Sequence, residues 1–196
     1  MVLLRLADIV RLGLLAGVVV TLATGVYEVA FRFAVVFGLT VLARWLRVPR
    51  PFGLAFCIVF AAESWGRFAG LYRAWGPFDE VIHFLMMACI APLVYLLLDR
   101  GELVPDLAEV VHVRQRVALP ALSGMVGIAL GALWEIYEWT AANVFGAQVL
   151  IGYADSIFDL TVDLAGALAG GALLVVWALK RWPSRTQTTP YAGRDG

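Results

Sequence analysis

The strongest constraint in this sequence is a series of six long apolar segments, separated by charged residues and by proline or glycine. They cover residues 7–23, 29–46, 51–72, 78–98, 117–142 and 156–182. Each is long enough to cross a bilayer as a helix. Backbone groups in hydrocarbon must be hydrogen-bonded within their own segment, and the alternating pattern of barrel strands is absent from these segments. We therefore predict an all-α protein, a polytopic membrane helix bundle of about six transmembrane helices.

The composition excludes a soluble enzyme. Hydrophobic residues make up 62% of the 196 residues and charged residues only 15%, whereas soluble domains are about 45–50% apolar. Fifteen basic and fifteen acidic residues cancel, so no overall field recruits nucleic acid, and membrane lipid is the expected partner. Cys57 and Cys89 lie within apolar segments, and we interpret them as core side chains.

The basic residues predict the orientation of the chain. In a six-helix arrangement twelve of the fifteen lie on one side of the membrane, and the positive-inside rule places that side, with both termini, in the cytoplasm. The expected location is the bacterial inner membrane. Residues 1–182 are predicted to form one transmembrane domain, and residues 183–196 a disordered cytoplasmic tail. Arg5 and Arg11 precede an apolar run as in a signal peptide, but we expect the first helix to stay uncleaved.

Ionisable residues inside the apolar segments are informative, because a charge in hydrocarbon is costly and is usually tied to a partner or a pathway. Asp79 and His83 are one helical turn apart, as are Glu63 and Arg67. With the predicted topology, the charges of four or five helices lie at one depth near the outer face. The acidic residues at this depth are Glu28, Glu63, Asp79, Glu80, Glu135, Glu138, Asp155, Asp159 and Asp163, and the basic ones are Arg32, Arg67 and Arg73.

This layer has a large excess of negative charge. Nine carboxylates face three arginines, and the six unpaired carboxylates cannot all stay ionised in a low-dielectric site. Either a bound cation neutralises some of them, or some hold protons. One histidine among many carboxylates suits Mg²⁺, Mn²⁺ or Ca²⁺ better than structural zinc. The predicted metal ligands are Asp79, Glu138, Asp159 and Asp163.

The same residues suggest catalytic roles. His83 is a candidate general base whose ring Asp79 would orient. Arg67 and Glu63 are predicted to bind substrate, with Arg67 holding an anionic head group. The pair is equally interpretable as a structural ion pair between helices. The predicted catalytic residues are His83, Asp79, Glu135 and Glu138.

Small residues predict where helices approach closely. Ser123, Gly127 and Gly131 form one row on the fifth segment, and Gly166 and Gly170 form a G-x-x-x-G pattern on the sixth. Such rows allow close helix contact within a membrane. We expect the fifth and sixth segments to pack tightly, with Glu135, Glu138, Asp159 and Asp163 facing each other above the contact.

Three motifs resemble those of the YjdF-like family of bacterial inner-membrane proteins. They are Phe78-Asp79-Glu80-Val81-Ile82-His83-Phe84, Trp134-Glu135-Ile136-Tyr137-Glu138-Trp139, and Asp155-Ser156-Ile157-Phe158-Asp159-Leu160-Thr161-Val162-Asp163 before Gly166-Ala167. That family has Lys after the first Asp, where this chain has Glu80. A more distant resemblance is to VanZ-like proteins, which are associated with glycopeptide antibiotic tolerance and have Gln and Asn at the positions of Glu138 and Asp163. The resemblance implies a fold and candidate residues rather than a reaction.

The first functional hypothesis is a divalent-cation-dependent site that opens to the outer leaflet and acts on a lipid or envelope precursor. Whether this makes the protein an enzyme is left open.

The second hypothesis is a proton- or cation-coupled transporter, with a relay through Glu63, His83, Glu138 and Asp163. Two observations disfavour it: the inner halves of the segments carry no matching acidic residues, and no inverted repeat is visible.

The third hypothesis is a non-catalytic membrane assembly subunit, in which the polar layer is a structural network that fixes helix packing.

Overall fold

The computed structural model describes residues 2–104, 113–147, 149 and 151–180. The predicted tail at 183–196 lies outside this range. Six long helices and one short helix make up the described chain, and no strand occurs within it, which confirms the all-α prediction. The helices are α1 (Val2–Ala23), α2 (Tyr27–Trp45), α3 (Arg50–Phe68), α4 (Leu71–Ala74), α5 (Phe78–Arg100), α6 (Val113–Phe145) and α7 (Tyr153–Leu179).

Four of these helices, α1, α5, α6 and α7, are long and apolar enough to cross a membrane. The other two long helices, α2 and α3, have 19 residues each and carry charged side chains within them. Membrane-spanning character is therefore clear for four helices. The count of six spans and the cytoplasmic location of the termini stay predictions.

The third predicted segment, 51–72, is too long. Helix α3 ends at Phe68, and the chain turns through Gly70 before the separate helix α4 begins at Leu71. Gly70 has φ of 76°, in the left-handed region that a residue with a Cβ atom rarely adopts. Because of this turn, Tyr72 lies in α4, beyond the end of α3, and not within α3 as predicted.

The helices form two groups. Helices α5, α6 and α7 pack extensively on one another, α1, α2 and α3 form the second group, and α3 against α5 is the main contact between them. A core of buried side chains, including Leu14, Phe33, Phe60, Ile82 and Met86, crosses this contact. Because α6 packs mainly on α5 and α7, only long side chains can join it to α2 and α3.

Glycines on both α6 and α7 allow backbone-close packing. A Cβ atom on Gly127 would overlap the Ala167 side chain, so the predicted tight contact of α6 with α7 is confirmed. The G-x-x-x-G row of α7 serves a different contact, because Cβ atoms on Gly166 and Gly170 would overlap the backbone carbonyl oxygens of Phe84 and Ala88 in α5. Helix α7 is thus held closely on two sides.

The structure buries one acid that lies outside the predicted apolar segments. Asp99 has 0% exposure, although it lies just beyond the predicted apolar segment. Helix α5 continues to Arg100, and its last turns pack in a core that contains Leu96, Leu119 and Leu174. Asp99, which flanks the predicted segment, is therefore buried within the helix bundle. Cys57 is buried, Cys89 is half-buried and both are free thiols, as expected for core side chains.

Candidate metal centre

One end of the bundle, here named the charged end, is where α5 and α7 begin and where α3 and α6 finish. Ion pairs or hydrogen bonds at this end join side chains of α2, α3, α5, α6 and α7. Charges of α2, α3 and α6 thus meet one another, as do those of α5 and α7. Their common depth near the outer face of a membrane stays a prediction. The charges divide into two clusters, one around His83 and one around two arginines.

His83 lies between two carboxylates. Its Nδ1 atom is 3.1 Å from Asp163 Oδ1, and its Nε2 atom is 3.5 Å from Asp79 Oδ1. An ionised carboxylate only accepts hydrogen bonds, so this contact would have Nδ1–H as the donor to an ionised Asp163. Both His83 and Asp163 are buried, and Asp163 has 0% exposure. The second ring nitrogen, Nε2, lies on the side of Asp79.

Asp79, His83 and Asp159 form a group with the spacing of metal ligands. One ligand atom from each of them lies within 4.8 Å of the other two. Asp159 is only 3% exposed, yet it makes no hydrogen bond or ion pair with any described residue. The Asp79 side chain is 18% exposed and forms the open edge of the group. A cation held here would have three protein ligands and a route to it past Asp79.

Helical spacing explains why these side chains meet. On α5, Asp79 and His83 are separated by one turn, and on α7 Asp155, Asp159 and Asp163 lie at successive turns of one face. The α7 stripe becomes more buried along its length, from the half-buried Asp155 to Asp163. The close approach of α5 to α7 brings the two faces together. The cluster thus lies across the contact between these two helices.

The second cluster is a row of alternating charges, which we name the ion-pair ladder. Arg67 Nε is 3.3 Å from Glu63 Oε1, and Arg67 Nη2 is 2.9 Å from Glu138 Oε1. Arg32 is paired with Glu28 within α2, and its Nη1 atom is 3.9 Å from Glu63 Oε1. The ladder is made of Glu28, Arg32, Glu63, Arg67 and Glu138, and it joins α2, α3 and α6.

Tyrosines cover the two arginines of the ladder. The guanidinium of Arg32 lies 4.9 Å from the ring centre of Tyr137, and that of Arg67 lies 4.4 Å from the ring centre of Tyr72. Burial raises the pKa of the Tyr72 phenol well above its usual range. Sequence reasoning missed Tyr72, because this residue follows the turn at Gly70 and has no helical spacing with Arg67.

The structure brings together some of the predicted site residues and separates others. Asp79, His83 and Asp159 share one cluster, and Asp163 contacts the far side of the His83 ring. Glu138, predicted as a metal ligand and a catalytic residue, is instead paired with Arg67. Of the four carboxylates expected to meet between α6 and α7, Glu138 is held by Arg67 of α3, whereas Glu135 lies within electrostatic reach of Asp159.

The remaining predicted residues lie in or beside these clusters. Glu63 and Arg67 are paired with each other, as the structural interpretation expected. Ser64 Oγ also donates a hydrogen bond of 3.0 Å to Glu63 Oε2. Glu135 is half-buried, its Oε1 atom has no hydrogen-bond partner in the described chain, and it lies within electrostatic reach of Asp159. Glu135 thus flanks the metal-ligand group.

Four helices of this length and apolar composition are typical of a polytopic membrane protein. The chain belongs to the family described as "Predicted membrane protein (DUF2238)", whose model matches residues 3–184. The match is consistent with the YjdF-like resemblance, and the VanZ-like resemblance stays a prediction. No curated protein and no solved structure matches the chain. The match includes every helix that contributes to the two clusters.

Proposed function

We propose that this chain is a multi-pass protein of the bacterial inner membrane that binds a divalent cation through Asp79, His83 and Asp159. The bound cation would hold the phosphate of a lipid or of an envelope precursor. In the orientation expected from the arginines, the charged end faces the outer leaflet.

Asp159 carries this proposal. A carboxylate that is 3% exposed and has no hydrogen bond or ion pair to a described residue is costly as an anion. Its neighbours Asp79 and Asp163 are acids as well, so they add repulsion rather than relief. A cation between Asp159, Asp79 and the Nε2 atom of His83 would remove this cost.

The ligand set favours a hard cation. Two carboxylates and one imidazole suit Mg²⁺, Mn²⁺ or Ca²⁺, which take oxygen ligands and six or more positions. Three protein ligands leave positions for water and for a phosphate oxygen. Glu135, which flanks Asp159, would then be the candidate base for a water molecule on the ion, and this part of the proposal makes the protein an enzyme.

The substrate would bind through the cation more than through Arg67. The two carboxylates of Glu63 and Glu138 already occupy the guanidinium of Arg67. An anionic head group would have to displace one of them, whereas open positions on a cation are free to accept an oxygen atom. The predicted substrate role of Arg67 and Glu63 therefore becomes a supporting role in the ladder.

Elemental analysis of the detergent-purified protein tests the cation site. We expect close to stoichiometric divalent metal in the wild type, and its loss in Asp159→Asn and His83→Ala. Glu138→Gln is the matched control, because it removes a buried carboxylate of the same layer that lies in the ladder. A folded wild type without metal, or equal metal loss in Glu138→Gln, would contradict the assignment.

Lipid analysis tests the chemistry. Envelope lipids and lipid-linked precursors would be compared between cells with the wild type and cells with Glu135→Gln, a variant that keeps the three ligands. An accumulated phosphate-bearing lipid is expected if the site is catalytic. An unchanged lipid profile in both Glu135→Gln and Asp159→Asn would leave a binding role and rule out catalysis on these lipids.

Transport is the second candidate, and Asp99 favours it. A fully buried acid near the other end of α5 gives both ends of the α5–α6–α7 group a buried carboxylate. Cation-dependent uptake into proteoliposomes, lost in Asp99→Asn, would support a pathway through this group. Tight vesicles that show no flux would exclude it.

A further inference from the structure

We propose that Asp163 is a positioning residue for the cation site, and that Gly131 on α6 keeps it in place. Helix α6 gives no ligand to the Asp79, His83 and Asp159 group. It would nevertheless control cation affinity through this one glycine. The inference rests on the proposed cation site, and it adds a residue on a different helix that acts on that site.

The first step is the direction of the His83 ring. Asp163 Oδ1 lies 3.1 Å from Nδ1, and we assign the ring hydrogen to that nitrogen, because an ionised carboxylate can only accept. The lone pair of a neutral ring is then on Nε2, the atom that lies 3.5 Å from Asp79 Oδ1. A histidine that binds a cation through one nitrogen commonly donates its other N–H to a carboxylate, which fixes the tautomer and the ring orientation. The contact with Asp163 has this geometry.

The second step is the charge of Asp163. It has 0% exposure, and its Oδ2 atom has no hydrogen-bond partner in the described part of the chain. One hydrogen bond from a neutral imidazole compensates a buried carboxylate poorly. A cation on the opposite side of the same ring would supply the missing positive charge at short range. We therefore infer that a cation bound to His83 compensates the charge of Asp163, whose Oδ2 atom has no hydrogen-bond partner among the described residues.

The third step is the space that Gly131 leaves. A Cβ atom at this position would overlap Asp163 Oδ2, and the next nearest atoms are Asp163 Cγ at 3.1 Å and Leu160 Cδ2 at 3.2 Å. An alanine would therefore press on the carboxylate itself. To relieve the overlap, the carboxylate would have to rotate relative to His83 Nδ1, or α6 would have to move away from α7. Either movement loosens the ring that carries the cation ligand.

Cation affinity is the main test, measured as Mn²⁺ binding by electron paramagnetic resonance on the detergent-purified full chain. Gly131→Ala is expected to weaken Mn²⁺ binding by about 10–100-fold, the usual effect of losing such an outer partner. Gly127→Ala is the matched control. Its Cβ would overlap Ala167, so it strains the same α6–α7 contact without touching the Asp163 side chain. An equal loss in both variants would reduce the effect to helix packing and overturn the proposal.

A double substitution separates positioning from general damage. In an Asp163→Ala background no carboxylate is left to displace, so adding Gly131→Ala should change Mn²⁺ affinity no further. Additive losses would mean that Gly131 acts by another route. If Gly131→Ala fails to fold, the nearly isosteric Asp163→Asn replaces it. It should keep the fold and still bind Mn²⁺ more weakly, and unchanged affinity would refute the positioning role.

The ring tautomer gives a readout that does not need the cation. The chain has 2 histidines, so nitrogen-15 spectra of histidine-labelled protein are simple to assign with a His112→Gln variant. With the ring neutral, we expect the hydrogen on Nδ1 of His83 in the wild type, and on Nε2 in Asp163→Ala. If the wild type shows the Nδ1–H form but binds no Mn²⁺, the proposed cation site is wrong and the contact of Asp163 with His83 still sets the tautomer. If the wild type binds Mn²⁺ but the ring carries its hydrogen on Nε2, the cation site stands and the positioning role of Asp163 is wrong.

Discussion

The two clusters of the charged end differ in how their buried charges are compensated. In the ladder, each arginine lies between two carboxylates, and every member has an opposite charge within 4.0 Å. In the cluster around His83, three carboxylates surround one imidazole, and one of them, Asp159, makes no hydrogen bond or ion pair with a described residue. Every charge of the ladder thus has an opposite charge beside it, although the two terminal nitrogens of Arg32 have no hydrogen-bond partner in the described chain. The charges of the His83 cluster are balanced only if a cation is bound to it.

The contrast assigns different roles to residues that look alike in the sequence. Glu138 and Asp159 are both buried acids on apolar helices. Glu138 stabilises the contact of α6 with α3, because Arg67 spans the gap between them. Asp159 makes no hydrogen bond or ion pair that would join α7 to another described helix. Polar side chains that join helices and polar side chains that bind ligands can thus share one layer of a membrane protein.

The largest expected effect is on the ladder. Arg67→Met would leave Glu63 and Glu138 buried without their shared cation, and removing one partner of a buried pair costs about 3–5 kcal/mol. The free energy of unfolding, measured in detergent, should fall by that amount. Arg73→Met on the exposed surface of α4 is the control and should have little effect. A small loss for Arg67→Met would mean that the ladder is hydrated and that the contrast is weaker than described.

A slightly smaller effect is expected from the cation. Mn²⁺ at a hundred times its dissociation constant should raise the unfolding free energy of the wild type by about 2.7 kcal/mol, because only the folded chain holds the site. A chelator should reverse the change. The same addition should leave Asp159→Asn unaffected, and Glu138→Gln should still respond. A response in Asp159→Asn would place the ion elsewhere.

When the cation is absent, Asp159→Asn should change the free energy of unfolding in the opposite direction to Arg67→Met, or leave it unchanged. It replaces an uncompensated buried anion by a neutral amide of the same shape, so we expect stability in chelator to be unchanged or higher by about 1 kcal/mol. Chemical unfolding in the presence of a chelator would measure it. A clear loss of stability would show that Asp159 has a structural partner, and the two clusters would then be alike.

The smallest expected effect concerns the tyrosine at the edge of the ladder. Tyr137→Phe removes a long hydrogen bond of 3.4 Å to Glu28 but keeps the ring over Arg32. A loss of about 0.5 kcal/mol or less is expected for a weak, partly exposed bond. Tyr137→Leu, which also removes the ring face, should cost more. Equal losses for the two substitutions would assign the effect to packing alone.

The sequence predicts the helices well because hydropathy and helical spacing are local properties. The one-turn spacing of Asp79 and His83, together with an up-and-down topology, was enough to predict that the charges meet at one level. The pairing within that level depends on helix rotation and on the gap between α3 and α6, which no local pattern encodes. For this reason Glu138 was predicted to meet Asp159, whereas Arg67 reaches across from α3 to hold it.

Other differences have the same origin. The glycine row of α7 was visible in the sequence, but the face of α7 that meets α5 depends on the whole packing of the bundle. Asp99 was assigned to the flank of its segment, because a single charged residue marks the end of an apolar run. Its burial depends on neighbours in α6 and α7 that are distant in the chain.

In helix α7, a residue of the His83 cluster is followed almost at once by a residue of the close contact with α5. Asp163 contacts His83, and three positions later Gly166 lies against the backbone of α5. One inserted or deleted residue between them would turn one feature by about 100° relative to the other. This short stretch can therefore vary in composition but not in length, whereas the turns between helices are free to lengthen. Among related chains, gaps in an alignment should avoid it.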